Sequence, residues 1–367
     1  MEGSELLVEA KPGQLRSIQV ARGVAALSVL AFHSLDSAHK YFGGIQVLPA
    51  FFDGGKWGVD LFFVISGFVM VLTTRKRHGE IREAGKFLWS RFFRIYPTYW
   101  FYCLLLLPVY FLAPGLINSS QGNHVDLLAS FLLLPSDTLP LVLVAWTLTI
   151  ELWFYLVFAV LLLVPERFLP LGLGIWFAVL IAINWNGPID ASPFIQVPTN
   201  SLAIEFIFGA VAALLFRQVG RVLACVLAAA GVAVIVFLST AIAAGPALVR
   251  PLTLGVGFAL VVLAFAAFEN RSGIGVVGRL SIFGDISYSV YLSHIMVLAV
   301  MGQIWQRVPG PLGSSVPAIA VWWVVTFAAA LVVGYLSYRW VEKPVTRLAA
   351  TWRDRVFRAK PTTASAP

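Results

Sequence analysis

Charge is what this sequence has least of. Asp, Glu, Lys and Arg make up 12% of its 367 residues, against about 25% in an ordinary soluble domain. That shortage excludes a soluble globular enzyme. Cysteine is nearly absent as well: Cys103 and Cys225 are the two present, each inside a long apolar run, so neither a disulfide framework nor a thiolate-built metal site is expected. The opening MEGSELLVEAKPGQL has no basic stretch leading into an apolar one, and no cleavable signal peptide is expected from it. A continuous basic face is missing too. The net charge of +8 is spread over short clusters between apolar runs, which argues against nucleic acid as a partner.

What remains is apolar. Hydrophobic residues reach 59%, with 28 Phe and 12 Trp, and the mean hydropathy is +0.85. A chain of this composition has the lipid bilayer as its solvent. Runs of roughly 17 to 22 residues, enough to cross ~30 Å of hydrocarbon, fall at 18–35, 57–73, 95–113, 146–164, 169–186, 201–216, 222–241, 252–268, 282–303 and 317–338. The expected fold is therefore all-α, a polytopic membrane helix bundle of about ten transmembrane helices. DLLASFLLL (126–134) is also apolar, but Pro135, Asp137 and Pro140 make that stretch a loop with a re-entrant or interfacial piece.

The basic residues test this count, because Lys and Arg concentrate in cytoplasmic loops. With the N-terminus in the cytoplasm, all of the 26 fall inside except Lys40, Lys56, Arg250 and Arg307. Both termini are then expected to be cytoplasmic. The chain divides into a cytoplasmic segment (1–17), a transmembrane domain (18–344) and a basic cytoplasmic tail (345–367) whose PTTASAP end reads as disordered. No soluble domain is left over, so the spans must carry the chemistry.

Ionisable groups at membrane depth are costly and mark functional sites. Arg22 and His33, in RGVAALSVLAFH, are eleven residues apart; at about 100° per residue they share one helix face, ~16 Å apart along the axis. A long ligand could touch both, although a snorkelling Arg and an interfacial His explain each alone equally well. Asp60 opens the second span and Glu151 lies early in the fourth, at about the depth of His33. A carboxylate beside a His can orient an imidazole that accepts an alcohol proton; for Asp60 helix capping is the alternative. Glu205, early in the sixth span, ranks behind them. Ser287, Tyr291 and His294 recur at i, i+4 and i+7 of the ninth span and line one face; a lone His there is more often structural than catalytic. Arg91 and Arg94, in SRFFRIYPTYW, sit at i and i+3, a spacing able to grip phosphate, with the charge rule as the ordinary explanation. Pro97 and the aromatic residues after it are expected to set the start of the third span.

Taken together, IQVARGVAALSVLAFH, GVDLFFVISGF, SRFFRIYPTYW, WTLTIELWFY, GDISYSVYLSH and RWVEKP resemble the acyltransferase 3 family of multispanning bacterial acyltransferases, over roughly Ile18 to Pro344. The resemblance implies O-acyl transfer in the bacterial cytoplasmic (inner) membrane, from cytoplasmic acyl-CoA, often acetyl-CoA, to a hydroxyl of a carbohydrate acceptor such as a surface polysaccharide, alongside polysaccharide biosynthesis machinery. It implies that Arg22, Arg91 and Arg94 serve the CoA end and His33 the acceptor end. The opening stretch and the lack of a fused esterase-like domain resemble the branch that modifies exopolysaccharides; antibiotics, lipid-linked sugars and signalling oligosaccharides are other acceptors in the family. Trp146-Thr147-Leu148 stands where a common family version reads Trp-Ser-Leu, which keeps a hydroxyl.

The mechanism expected is direct transfer, with His33 as base, Asp60 or Glu151 orienting it, and Tyr291 or His294 near the oxyanion. An acyl-histidine intermediate is the alternative scheme. A proton-coupled transporter is the alternative of another class, because buried His, Asp and Glu also build proton relays. A zinc site of His33, Asp60, Glu151 and His294 lacks any short ligand spacing, and no metal is expected.

Overall fold

The computed structural model describes residues 15–42, 50–118, 122–238, 242, 245–307 and 315–357. Most of the 1–17 segment and the PTTASAP end lie outside them. The described residues form helices joined by turns, with no strand. In chain order the helices are α1 (Arg16–Phe42), α2 (Gly58–Thr74), α3 (Ile81–Leu112), α4 (Leu127–Leu132), α5 (Trp146–Leu162), α6 (Leu169–Asn184), α7 (Pro193–Gln196), α8 (Ala203–Leu215), α9 (Arg221–Leu238), α10 (Val249–Ser272), α11 (Ser281–Asp285), α12 (Ser287–Trp305), α13 (Val316–Ser337) and α14 (Lys343–Val356).

Nine helical stretches among the described residues are long and apolar enough to cross a membrane, where ten were expected. The exception is the sixth run, 201–216, which forms the 13-residue α8, whose axis of ~20 Å falls short of the hydrocarbon thickness. Its reach is cut by the turns over 197–202 that precede it. What holds it is a very close crossing with α2. A Cβ on Gly67 would lie 1.9 Å from the Phe206 carbonyl oxygen, and one on Gly209 would lie 1.8 Å from that of Val64. The two backbones touch, as small residues permit between helices in lipid. Phe154 of α5 stacks on Phe206, with ring centroids 4.0 Å apart. By contrast α6 and α9 are buried over only 17% and 11% of their apolar windows, which places them at the lipid-facing periphery.

One element departs from the expected pattern, and a second is irregular. α3 begins at Ile81 and runs 32 residues through both Pro97 and Pro108, so Pro97 does not start the span. The stretch from 81 to 94 is helical because its apolar side is covered: α14 packs on it, with Trp89 donating to the Ala349 carbonyl at 3.1 Å and Arg82 to that of Phe357. Packing of this kind outweighs local propensity.

The second element is the stretch around 126–145, expected as a loop with a re-entrant or interfacial piece, whose short helix α4 packs against α3. Asp126 caps α4 by accepting from the Ala129 amide at 2.9 Å. The carbonyls at the other end of α4 are taken up by α3: Tyr99 donates to Ser130 at 2.5 Å, Trp100 to Phe131 at 2.8 Å and Tyr96 to Leu132 at 2.9 Å. Backbone at membrane depth needs such partners. Those aromatics lie near the middle of α3, so α4 reaches well into the bundle.

The starts of α1 and α3 and the ends of α2 and α5 lie on one side, called the basic side below. There the Gly79 amide donates to the Leu162 carbonyl at 2.8 Å.

Candidate active site

A cavity of about 100 Å³ lies between α1, α2, α3, α5 and α12. Arg22, Arg91 and Arg94 line it together with Glu151, Tyr155, Tyr288 and Tyr291. All three arginines singled out in the sequence thus meet at one space, brought there by two helices.

Each is held differently. Arg94 pairs with the fully buried Glu342 and lies 5.3 Å from the Tyr288 ring centre. Glu342 also accepts from Ser289 at 2.7 Å. It ends a π-helical turn, Tyr338–Glu342, between α13 and α14; such turns re-aim side chains at functional sites. Arg91 lies over the rings of Phe87 and Tyr155, at 5.5 Å and 5.7 Å, and its Nε is buried without a hydrogen-bond partner among the described residues. Arg22 makes no ion pair among the described residues. Three guanidinium groups line the cavity, one of them fixed by Glu342, with the Glu151 carboxylate on the opposite wall. Such a wall suits a multiply charged anion.

Glu151 stands across from the arginines. Its Oε1 accepts from Ser66 at 2.6 Å and from Tyr155 one turn on. Farther from the basic side, Tyr291 shares a 2.9 Å hydrogen bond with Thr147 and donates to the Val144 carbonyl at 3.1 Å.

Beyond Tyr291 lie the two histidines. His294 Nδ1 is 2.6 Å from the Tyr291 carbonyl oxygen, which can only accept, so that nitrogen carries a proton and Nε2 does not. His294 Nε2 in turn is 3.3 Å from His33 Nδ1, which is also 3.0 Å from the Val29 carbonyl. His33 Nδ1 is therefore the donor, and His33 Nε2 keeps its lone pair. The chain of acceptors selects the tautomer in which His33 can take a proton.

His33 is thus partnered by His294 and not, as the sequence suggested, by Asp60 or Glu151. Asp60 is wholly buried on another face of α2, where both of its oxygens accept from Arg250 of α10, at 2.8 and 2.9 Å. A bidentate pair in an apolar interior fixes a carboxylate where its partner is. Glu205 lies buried beside that pair, next to the Asp60 carboxylate. Glu151 likewise bonds within the cavity and not to His33. Among the described residues no three His, Cys, Asp or Glu side chains converge in a way that could hold a metal ion, and the set His33, Asp60, Glu151 and His294 is split between two places. Glu342, Ser66 and Arg250 were not singled out in the sequence. Tyr155 had a legible signal, since it follows Glu151 at i+4.

Comparison with known proteins adds the following. A family model described as "Acyltransferase domain" matches residues 15–339. The chain is 29% identical over 314 residues to the exopolysaccharide production protein ExoZ of Rhizobium meliloti, covering 80% of this chain and 90% of that protein. It is 27% identical to the acyltransferase MdmB of Streptomyces mycarofaciens, over 96% of this chain and 97% of that one. To the peptidoglycan O-acetyltransferase OatA of Listeria monocytogenes it is 25% identical, over 90% of this chain but 56% of that protein. No solved structure matches.

Proposed function

From the premise that the chain belongs to this acyltransferase family and is a multi-pass membrane enzyme, we propose that it moves an acyl group, most simply acetyl, from cytoplasmic acyl-CoA to a hydroxyl of a glycan. The observation that carries this reading is the single cavity that joins Arg22, Arg91 and Arg94 at the basic side to Tyr291, the neighbour of the His33–His294 pair. The arginines receive the charged end of the donor, and the thioester lies toward the histidines. The distribution of Lys and Arg supports placing the basic side, with both termini, in the cytoplasm of a bacterial cell, the acceptor being met at the far side of the inner membrane.

In the proposed step the acceptor oxygen attacks the thioester carbonyl as His33 Nε2 takes its proton. The carbon–sulfur bond breaks, and the leaving thiolate takes the proton from His33, which returns the imidazole to its neutral form. His294 is a positioning residue, since it touches His33 and not the reacting atoms. The Thr147 and Tyr291 hydroxyls, which line the cavity, are the donors assigned to the oxyanion in this scheme, turning from the Val144 carbonyl to which both now donate. Glu151 holds Tyr155 and Ser66 and shapes the arginine wall. Asp60 leaves the reaction in this scheme and serves to join α2 to α10.

The names of two relatives, exopolysaccharide production and peptidoglycan O-acetylation, support a glycan acceptor and point to polysaccharide biosynthesis machinery as the setting. The test is the acetyl content of purified extracellular polysaccharide from cells carrying wild type, His33→Ala or Arg22→Ala, at equal protein levels in the membrane. Loss in both variants is expected. Unchanged acetylation in both would remove the polysaccharide as acceptor. Direct transfer further predicts that rapid-quench labelling with radioactive acetyl-CoA, without acceptor, leaves no acyl group on the protein.

A further inference from the structure

On the basic side a second, larger cavity of about 540 Å³ opens below the first. The two share Arg91 as a common wall. This vestibule is framed by the end of α2 with the turn after it, by the first turns of α3, and by α14. Its charged lining is Arg77, Lys86, Arg91 and Arg353 against Glu83 alone, and Glu83 is bound to Lys86 at 2.5 Å. Arg353 donates to Ser90 at 3.2 Å across the rim and is paired with Asp354 at 2.9 Å, which lines an adjoining cavity together with Arg77, Glu83, Lys86 and Arg353. The Arg91 Nε on the shared wall is buried and unpartnered.

α14 lies beyond the matched segment, which ends at residue 339, and its amphipathic packing on α3 is what carries Arg353 to the rim. Four cations, two of them paired with carboxylates, around one space that shares Arg91 with the thioester cavity fit a ligand that has several phosphates at one end and a thin arm at the other. We propose that this vestibule holds the phosphorylated nucleotide end of the donor, with Arg353 and Arg77 as ligands of its phosphates. The proposal rests on the acyl-CoA reading of the donor and goes beyond it in assigning the nucleotide a place and α14 a part in the site.

The test is equilibrium binding of radiolabelled CoA and dephospho-CoA to the full-length protein, in phosphatidylcholine nanodiscs and in discs that also contain phosphatidylglycerol. Wild type is expected to prefer CoA by about tenfold, the worth of one charge-assisted contact. Arg353→Gln and Arg77→Gln are expected to abolish that preference while binding dephospho-CoA as wild type does. Arg77 lies on an exposed turn, so its variant reports even where Arg353→Gln fails to fold. The vestibule assignment falls if both variants keep the preference, or if wild type binds CoA without discriminating. It also falls if phosphatidylglycerol erases the preference, since a lipid headgroup is then the occupant. Failure of wild type to bind either nucleotide sinks the acyl-CoA reading itself.

Discussion

At the scale of single residues the site turns on which group meets which. His33→Ala is expected to lower acyl transfer by about a hundredfold or more, the usual worth of a positioned base. His294 acts through His33, so its variants separate orientation from folding: His294→Gln, whose amide oxygen can accept from His33 Nδ1, should retain more kcat than His294→Ala at similar KM. Equal loss in both, measured on purified protein with a fixed acceptor, would count against the tautomer argument. Asp60→Asn carries a different expectation. It leaves Arg250 without its bidentate partner and should cost about 3 kcal/mol of stability, the low end for a broken buried pair, because Arg250 keeps 34% of its side chain exposed. Asp60→Ala with Arg250→Ala should recover part of that loss in a detergent melting curve. The importance of His33 and Asp60 was legible in the sequence, since both are ionisable at membrane depth. Their partners were not, because depth along a helix says nothing about which neighbouring helix the residue faces.

At the scale of elements the crossing of α2 with α8 and the course of α3 decide the geometry. Gly209→Ala and Gly67→Ala place a methyl group where a carbonyl oxygen already lies within 2 Å, so the helices must part. Overpacking of this kind costs about 1–3 kcal/mol or more. Since α2 carries Ser66 and a wall of the cavity, both variants should lose activity along with thermal stability. Gly187→Ala, with a positive φ but open space around it, should be destabilised less and leave activity intact. Nine of the expected runs fall on long helices, seven of them to within about five residues at both ends, because an apolar run of bilayer length has no other way to satisfy its backbone in lipid. α8 is shorter than expected and α3 longer. The first is limited by turns ahead of it and the second is extended by α14, and neither cause lies in the hydropathy of the segment itself.

At the scale of the whole molecule the arrangement sets a direction, from a basic vestibule through an arginine-walled cavity to a pair of histidines. Transfer should therefore depend on the side to which donor is added. In sealed vesicles that expose the basic side, acetyl-CoA in the bath should support acetylation of acceptor within the lumen; in vesicles of the opposite orientation it should not. Dependence on the wrong side, or on neither, would remove the directional reading. The sequence by itself determined the solvent, the approximate number of spans and the residues able to do chemistry, since hydropathy, length and the cost of buried charge are properties of the chain alone. Only the tertiary structure decided that Arg22, Arg91 and Arg94 share a cavity, that His294 and not Asp60 or Glu151 partners His33, and that α14 completes the vestibule. Those outcomes depend on the rotation and mutual depth of helices distant in sequence, which are set by backbone contacts such as that of Gly67 with Phe206 and by ion pairs such as that of Arg94 with Glu342.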